Sequence, residues 1–288
     1  FVIFLFIISP SVILAIERAN IDIIIFLLTI YISYNKKIFL NYLFIIFAAL
    51  SKFYPITLVS IFLFEKNLKK ISLNLLFVIT IILIIYFFQL EEINKIFSNS
   101  KQFKATRIYN FSFDGFLFYI MNLKVIINKQ DYNWVKYLII FIFFILPLII
   151  TLKQRLRFIL ENKNIQGLYL ENIYENRLYI LSTIIILTCY FSFSNFIYRE
   201  IFFLGLIPWI LKQKKIISEE NFFNFYFYAL CAKFFITSVL IYLSLNEILP
   251  QYDPLITLIK HCLDLYLITI VLIIFFSSFK SFFKHYVL

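Results

Sequence analysis

Long apolar runs separated by short polar stretches make up most of the chain. A transmembrane α-helix needs about 17 to 25 predominantly apolar residues. The runs at 71–88, 135–152, 222–245 and 255–279 reach that length unaided. Shorter runs reach it only with the polar residues at their ends, namely 1–16, 21–34, 38–51, 53–64, 178–193 and 197–211. The pattern predicts an all-α, polytopic transmembrane helical bundle of about 8–10 membrane segments.

The composition leads to the same fold class. Hydrophobic residues make up 62% of the 288 positions and charged residues 15%, whereas soluble domains carry about 25% charge. A chain of this size cannot hide so much apolar surface inside one globule, so lipid must cover part of it. Because no internal repeat or linker divides the sequence, we treat 1–288 as a single membrane domain.

Basic residues fall in alternate connections between the apolar runs. If the runs are successive membrane passes, one side receives the basic segments at 36–37, 66–70, 153–163, 212–215 and 280–284. The positive-inside rule assigns that side to the cytoplasm. The opposite side receives short connections and one long polar loop at about 89–134. We expect a multi-pass protein of the bacterial inner (plasma) membrane, with the net charge of +11 reflecting topology and attraction to anionic lipid rather than a nucleic-acid partner.

Cysteine and histidine spacing does not predict a metal site or a cofactor. Cys189, Cys231 and Cys262 are isolated from one another and lie in or near apolar runs. Free cysteines of this kind are usually small packing residues. His261 and His285 have no partner at metal-ligand spacing, and we interpret them as structural residues.

Three polar clusters stand out because they lie at junctions of short apolar runs. They occupy 17–22 (ERANID), 52–55 (KFYP) and 195–200 (NFIYRE). An ionisable residue at membrane depth costs about 2.5 to 3.5 kcal/mol on the insertion scale, so it usually marks a site or a pathway. The alternating passes place all three clusters on the non-cytoplasmic side.

Gathered at one membrane face, the cations Arg18, Lys52 and Arg199 would repel one another unless an anion lay between them. Glu17, Asp22 and Glu200 are the candidate counter-ions of the resting protein, and a phosphate or diphosphate is the candidate anion of the working one. Asn20 and Tyr54 add neutral groups suited to sugar hydroxyls. The alternative is that the cations only snorkel to the interface.

These residues carry a family resemblance. The segment Ser9-Pro10-Ser11 followed by 17–22 resembles the Ser-Pro-Pro…Glu-Arg-Gly-Asn-x-Asp block of glycosyltransferase family 87, a member of the GT-C superfamily. The segment 52–55 resembles its Lys-x-Tyr-Pro block, and 195–208 resembles its Tyr-Arg-x-x-Phe…Pro segment. The resemblance covers roughly 5–65 and 185–212. Ala19 departs from it, because the family usually has glycine there.

The resemblance implies a GT-C-like hexosyltransferase. Its donor would be a polyprenyl-phosphate-linked sugar, often mannose, and its acceptor a glycan or glycolipid at the outer face of the membrane. It implies donor phosphate and sugar binding by Arg18, Asn20, Asp22, Lys52, Tyr54, Tyr198 and Arg199. Similar enzymes place a catalytic Asp in the first outer loop. Since the chain opens with Phe1 inside an apolar run, we expect a fragment whose base lies upstream, and we assign no catalytic residue.

Other functions remain open at this point. A lipid-linked oligosaccharide flippase or transporter would also have many helices and intramembrane charges, usually with inverted repeats. An O-antigen-type polymerase would couple polyprenyl-linked sugars at the same face. A truncated, inactive relic is the third alternative.

Overall fold

The computed structural model describes Ile13, Ile16, residues 20–52, 54–65, 67–88 and 90–91, Phe111, and residues 163–191, 197–216, 221–245 and 253–286. The predicted span 135–152, all of the predicted span 1–16 except Ile13 and Ile16, and nearly all of the long loop at 89–134 lie outside the described residues.

The described residues form helices and contain no strand. In chain order they are α1 (Ile21–Tyr34), α2 (Ile38–Ser51), the first 3₁₀ helix (Tyr54–Phe64), α3 (Leu68–Phe88), α4 (Lys163–Gln166), α5 (Tyr174–Phe191), the second 3₁₀ helix (Ile197–Leu206), α6 (Ile207–Ile216), α7 (Asn221–Leu245) and α8 (Asp253–Tyr286). The prediction of an all-α chain is confirmed for these residues.

Within the described part, three helices are long and apolar enough to cross a membrane. They contain the segments Leu68–Phe88, Phe222–Val239 and Ile259–Lys280. The rest of the protein covers little of the first of these helices. Leu76, Leu83 and Phe87 are among the exposed side chains on this helix. Soluble proteins rarely expose so large an apolar surface to water, whereas lipid covers it without cost. These helices therefore indicate a membrane protein.

The helices α1 and α2 run antiparallel and define two ends of the bundle. The residues before α1 and after α2, Asn20 and Lys52, contact each other. At the opposite end, Asn35 follows α1 and donates to the side chain of Asn41 in α2. Helix α3 packs parallel to α2. Tyr42 donates to Asn74 near the start of both helices, and the Tyr86 hydroxyl donates to the Ala49 carbonyl at 2.7 Å near their ends. We call the end that contains Asn20 and Lys52 the site end, and the end that contains Asn35 the basic end.

A buried arginine joins α5 to α1 at the basic end. One terminal nitrogen of Arg177 donates to the backbone carbonyls of Ile32, at 2.9 Å, and Asn35, at 2.6 Å. A cation near the C-terminus of a helix also opposes the negative end of its dipole. Lys212 lies 3.8 Å from Glu175 in the first turn of α5, so the C-terminal part of α6 lies at this end as well.

Helix α5 forms the centre of the described core. It packs against α1 and both 3₁₀ helices, and most of its residues are buried. An aromatic pair extends this core to α6: the rings of Tyr179 in α5 and Trp209 in α6 are 4.3 Å apart. The central helix thereby fixes the positions of the elements that carry the polar clusters.

Candidate functional site

The N-terminus of α1 places a carboxylate at the centre of the site end. Asn20 caps the helix, since its Oδ1 accepts the Asp22 backbone N–H at 3.0 Å. This cap fixes the start of the helix and leaves Asp22 in the first turn, where the helix dipole favours negative charge. The Asp22 side chain is fully buried, so it depends on protein partners for its stabilisation.

Two donors from the segment after α2 meet one oxygen of this carboxylate. Lys52 Nζ donates to Asp22 Oδ1 at 2.6 Å, and the Tyr54 hydroxyl donates to the same oxygen. Lys52 Nζ also donates to Asn20 Oδ1 at 3.2 Å. The ammonium group therefore bridges the helix cap and the buried carboxylate.

The chain geometry between α2 and the first 3₁₀ helix explains why Lys52 reaches inward. Helix α2 ends at Ser51, and Lys52 has an extended backbone with φ −156° and ψ 159°. Pro55 follows within the first turn of the 3₁₀ helix, where its missing N–H is tolerated. The break directs the lysine side chain away from the helix line and into the site.

The second 3₁₀ helix supplies an arginine from a distant part of the sequence. Arg199 Nε lies 3.7 Å from Asp22 Oδ2, and the guanidinium carbon lies 5.0 Å from the centre of the Tyr54 ring. A cation at this distance is attracted to the face of an aromatic ring. The Phe202 ring, one turn further along, packs edge-on against Tyr54 at 5.8 Å. These contacts join three separate segments into one site.

Charge and exposure differ within the site. Its described charged side chains are Lys52, Arg199 and Asp22, which leave one excess positive charge. The carboxylate is buried, whereas the side chains of Lys52 and Arg199 are 23% and 18% exposed. Arg199 Nε and Asp22 Oδ2 are both buried and make no hydrogen bond within the described part of the protein. The arrangement can therefore receive an anionic group at its exposed side.

The structure brings together most of the residues singled out from the sequence. The members of this cluster, hereafter the Asp22 site, are Asn20, Asp22, Lys52, Tyr54 and Arg199. Arg18 lies outside the described residues, and only the backbone of Tyr198 is described. The binding roles of all seven residues remain predictions.

Glu200 departs from the sequence-based expectation. We expected it to serve as a resting counter-ion for the cations of the site, together with Glu17 and Asp22. Glu17 lies outside the described residues, and Glu200 instead contacts Lys233 at 2.6 Å and Lys260 at 3.6 Å. Adjacent residues of a 3₁₀ helix point in directions about 120° apart, so Glu200 faces away from the cluster that its neighbour Arg199 joins.

These contacts belong to a second group of charges, which we call the buried ion cluster and define as Glu200, Lys233, Lys260 and Asp264. Lys233 Nζ lies 2.5 Å from Asp264 Oδ1, and Lys260 Nζ lies 3.0 Å from Asp264 Oδ2. Every member has 0% side-chain exposure. The Thr237 hydroxyl donates to Glu200 at 3.3 Å. The cluster combines charges from the second 3₁₀ helix, α7 and α8.

The sequence-based prediction missed this cluster because it treated 222–245 and 255–279 as uniform membrane spans. Two signals were present in those runs. Lys233 lies well inside an apolar stretch, and ionisable residues at that depth are rare without a partner. Lys260 and Asp264 have the i,i+4 spacing of a helical ion pair. His261, interpreted as structural, lies 3.9 Å from Asp264 and borders the cluster.

Among the described residues, no group of three or more His, Cys, Asp and Glu side chains is placed to hold a metal ion. The described cysteines differ in exposure: Cys189 is buried and Cys262 is exposed. Comparison of the chain with protein-family models, with curated proteins and with solved structures finds no match. Function must therefore be inferred from the site geometry and the sequence motifs.

Proposed function

We propose that this chain is part of a GT-C-type membrane glycosyltransferase. It would transfer a hexose, such as mannose, from a polyprenyl-phosphate donor to a glycan or glycolipid acceptor at the outer face of the membrane. The observation that carries the proposal is the joining of Lys52 and Arg199 through one buried carboxylate, Asp22, while both cationic side chains stay partly exposed. The sequence resemblance around 17–22, 52–55 and 195–208 supports the same activity.

The chemistry of the donor explains why two cations are useful. Transfer breaks the bond between the sugar's anomeric carbon and the phosphate oxygen, and that oxygen keeps the electron pair. The leaving polyprenyl phosphate therefore gains negative charge in the transition state. Arg199 offers a planar fork of donors and Lys52 a compact charge, and fixed cations near a developing charge lower the barrier.

The remaining members of the site would orient these cations and the sugar. Asp22 binds the Lys52 ammonium directly and lies beside the Arg199 guanidinium, so it holds both at defined positions before the donor arrives. Asn20 and Tyr54 are next to them and carry groups that can hydrogen-bond to sugar hydroxyls. No carboxylate of the described residues is assigned as the base.

The surface beside the site is compatible with a lipid-linked donor. Phe47 and Leu50 of α2, close to Lys52 in the chain, are 51% and 42% exposed. A polyprenyl chain could lie along such an apolar surface while its phosphate reaches the cations. The chain would replace lipid tails of the same apolar character, so this placement exposes no apolar surface to water.

A transferase assay on the full-length protein tests the proposal. The donor is a labelled polyprenyl-phosphate mannose, and the acceptors are membrane lipids and glycans. We expect Lys52→Ala and Arg199→Ala each to lower turnover by about a hundredfold or more, as loss of a charge-stabilising donor does in other enzymes. Lys212→Ala, which removes a partly exposed cation at the basic end, should leave turnover unchanged. If both site variants keep wild-type turnover, the phosphate-binding roles are wrong.

The buried ion cluster favours one second candidate. Charged residues that face each other across membrane helices are typical of transport pathways, and this cluster joins α7, α8 and the second 3₁₀ helix. The candidate is a transporter or flippase of lipid-linked oligosaccharide. Reconstitution in vesicles separates the two functions, because a flippase moves a labelled lipid across the bilayer without changing its glycan, whereas a transferase adds one sugar.

A further inference from the structure

Consecutive residues of the second 3₁₀ helix face two different clusters. Arg199 faces Asp22 of α1, with Nε 3.7 Å from the carboxylate. Glu200 faces α7, where Lys233 Nζ lies 2.6 Å from its Oε1. Any rotation of this helix about its axis must move both side chains together. The contact of Glu200 therefore constrains the position of Arg199.

The Arg199 contact is the weaker of the two. At 3.7 Å it is longer than a normal hydrogen bond, and the side chain is partly exposed. The Glu200 contact is short and fully buried, and Thr237 of α7 adds a hydrogen bond to the other carboxylate oxygen. Long 3₁₀ runs are also uncommon because their hydrogen bonds have poorer geometry. Backbone bonds alone would therefore fix this ten-residue helix weakly.

The buried ion cluster has no net charge, so its members compensate one another although none is exposed. Its two lysines and two carboxylates are all buried, and an unpaired charge there would be strongly destabilising. The Lys260–Asp264 pair lies within α8 and completes the balance. Lys233, with Thr237, joins α7 to Glu200 of the second 3₁₀ helix, and Lys260 of α8 approaches the same carboxylate at 3.6 Å.

We propose that Lys233 is a positioning residue for Arg199. By holding Glu200, it sets the rotation of the second 3₁₀ helix so that the guanidinium lies against Asp22 and the Tyr54 ring. This inference deepens the proposed function, on which its ligand-binding consequence rests. The positioning itself is a property of the unliganded protein.

Two double variants with matched charge changes test the proposal. Glu200→Gln with Lys233→Met removes the tie between α7 and the 3₁₀ helix and leaves the Lys260–Asp264 pair. Lys260→Met with Asp264→Asn removes the other cation and carboxylate and leaves the tie. Both keep the cluster neutral, and both break the Lys233–Asp264 and Lys260–Glu200 contacts. A difference between them therefore reports the Lys233–Glu200 contact and not the loss of charge or of these cross contacts. Thr237→Val is a milder variant that removes one hydrogen bond to Glu200 and changes no charge.

The first measurement needs no ligand. A 3-fluorotyrosine introduced at position 54 reports the guanidinium beside its ring by fluorine NMR of the full-length protein in nanodiscs, with Arg199→Met as the reference for a displaced cation. We expect the resonance to move towards that reference in Glu200→Gln/Lys233→Met, and by less in Thr237→Val. It should stay near the wild-type position in Lys260→Met/Asp264→Asn.

The second measurement is the binding of a polyprenyl phosphate to the same proteins. We expect Glu200→Gln/Lys233→Met to weaken binding by about tenfold, the value of roughly one charge-assisted hydrogen bond, and the control pair to change it less than about twofold.

The two readouts separate failure of this inference from failure of the proposed function. Fluorine signals that shift as expected, in a wild-type protein that does not bind polyprenyl phosphate, support the positioning role and count against the glycosyltransferase. A wild-type resonance in both Glu200→Gln/Lys233→Met and Thr237→Val overturns the positioning role. If Glu200→Gln/Lys233→Met does not fold, the Thr237→Val protein alone provides the test, and a wild-type resonance in it overturns the positioning role.

Discussion

At the scale of single residues, the properties of the site depend on where Asp22 lies. The carboxylate is in the first turn of a capped helix, and Lys52 and Tyr54 donate to the same oxygen. A buried carboxylate with these partners stabilises cations that would otherwise repel each other. The contributions of the Asp22, Lys52 and Arg199 charges to the free energy of unfolding should therefore be non-additive.

A double-mutant cycle on Asp22→Asn and Lys52→Met measures this coupling. Each single change leaves a charge without its partner, and the double change removes both. We expect the single variants to lower the free energy of unfolding by about 2 to 4 kcal/mol, less than a wholly buried pair would because Lys52 is partly exposed. The coupling energy should be about 1 to 3 kcal/mol, measured by thermal or denaturant unfolding in a fixed detergent.

The exposed pair of Glu175 and Lys212, 3.8 Å apart, provides the matched control for that cycle. Its side chains are 34% and 36% exposed, so its coupling should be about 0 to 1 kcal/mol. Equal coupling energies for the two pairs would show that Asp22 does not organise the site.

The sequence was informative about these residues because polar side chains at the ends of apolar runs are conspicuous. Asn20, Asp22 and Lys52 could be selected in this way, although the distance between them depends on how α1 and α2 pair. Lys233 and Asp264 could not be paired from the sequence. They lie inside apolar runs on different helices, and only the packing of α7 against α8 brings them together.

At the scale of elements, the second 3₁₀ helix depends on a close approach to α5. A Cβ at Gly205 would lie 1.9 Å from Ser182 Oγ and 2.9 Å from Ser182 Cβ. Rotation of the serine side chain can move its hydroxyl but not its Cβ. The glycine therefore permits a separation between the two elements that a larger residue would prevent.

Gly205→Ala should lower the free energy of unfolding by about 1 to 3 kcal/mol, the usual cost of overpacking a buried contact. Ser182→Ala in the same chain should recover part of that loss, because it removes the hydroxyl but keeps the Cβ. Ser182→Ala alone is the control and should have little effect, since Ser182 Oγ makes no hydrogen bond within the described residues. Melting of the four proteins checks this, and a fully stable Gly205→Ala protein would refute the close approach.

Element boundaries were predictable where a polar residue caps a helix. The runs at 21–34 and 38–51 coincide with α1 and α2 because Asn20, Asn35–Lys37 and Lys52 flank them. The run at 53–64 gave no indication of a 3₁₀ helix, since a uniformly apolar segment has no periodicity that separates 3.0 from 3.6 residues per turn. For the same reason the run at 197–211 was not divided into its 3₁₀ and α-helical parts.

At the scale of the whole molecule, the described contacts place the connections between helices at two ends of the bundle. The connection after Asn35 and the N-terminus of α5 lie at the basic end, whereas Asn20, Lys52 and Arg199 lie at the site end. Lys36 and Lys37 lie between α1 and α2 at the basic end, and Lys69 and Lys70 lie in the first turn of α3. The orientation of these ends in a membrane is a prediction of the positive-inside rule.

Cysteine labelling in intact cells tests that orientation. In a background without Cys189, Cys231 and Cys262, Lys69→Cys and Glu91→Cys place thiols near the two ends of α3, and both native side chains are exposed. A membrane-impermeant maleimide should label Glu91→Cys in intact cells and Lys69→Cys only after the membrane is opened. Lys36→Cys should behave like Lys69→Cys. The reverse pattern would put the Asp22 site on the cytoplasmic side and remove the basis for an outer-face transferase.

The affinity of the protein in nanodiscs for a polyprenyl phosphate shows whether the cations of the Asp22 site hold the donor phosphate. Wild type is compared with Lys52→Met, Arg199→Met and the basic-end control Lys212→Met, and each protein's melting temperature is recorded to confirm folding. We expect both site variants to bind at least about tenfold more weakly and the control to bind like wild type. Equal affinity in all four folded proteins would contradict this expectation, because the phosphate would then not be held by the cations of the Asp22 site.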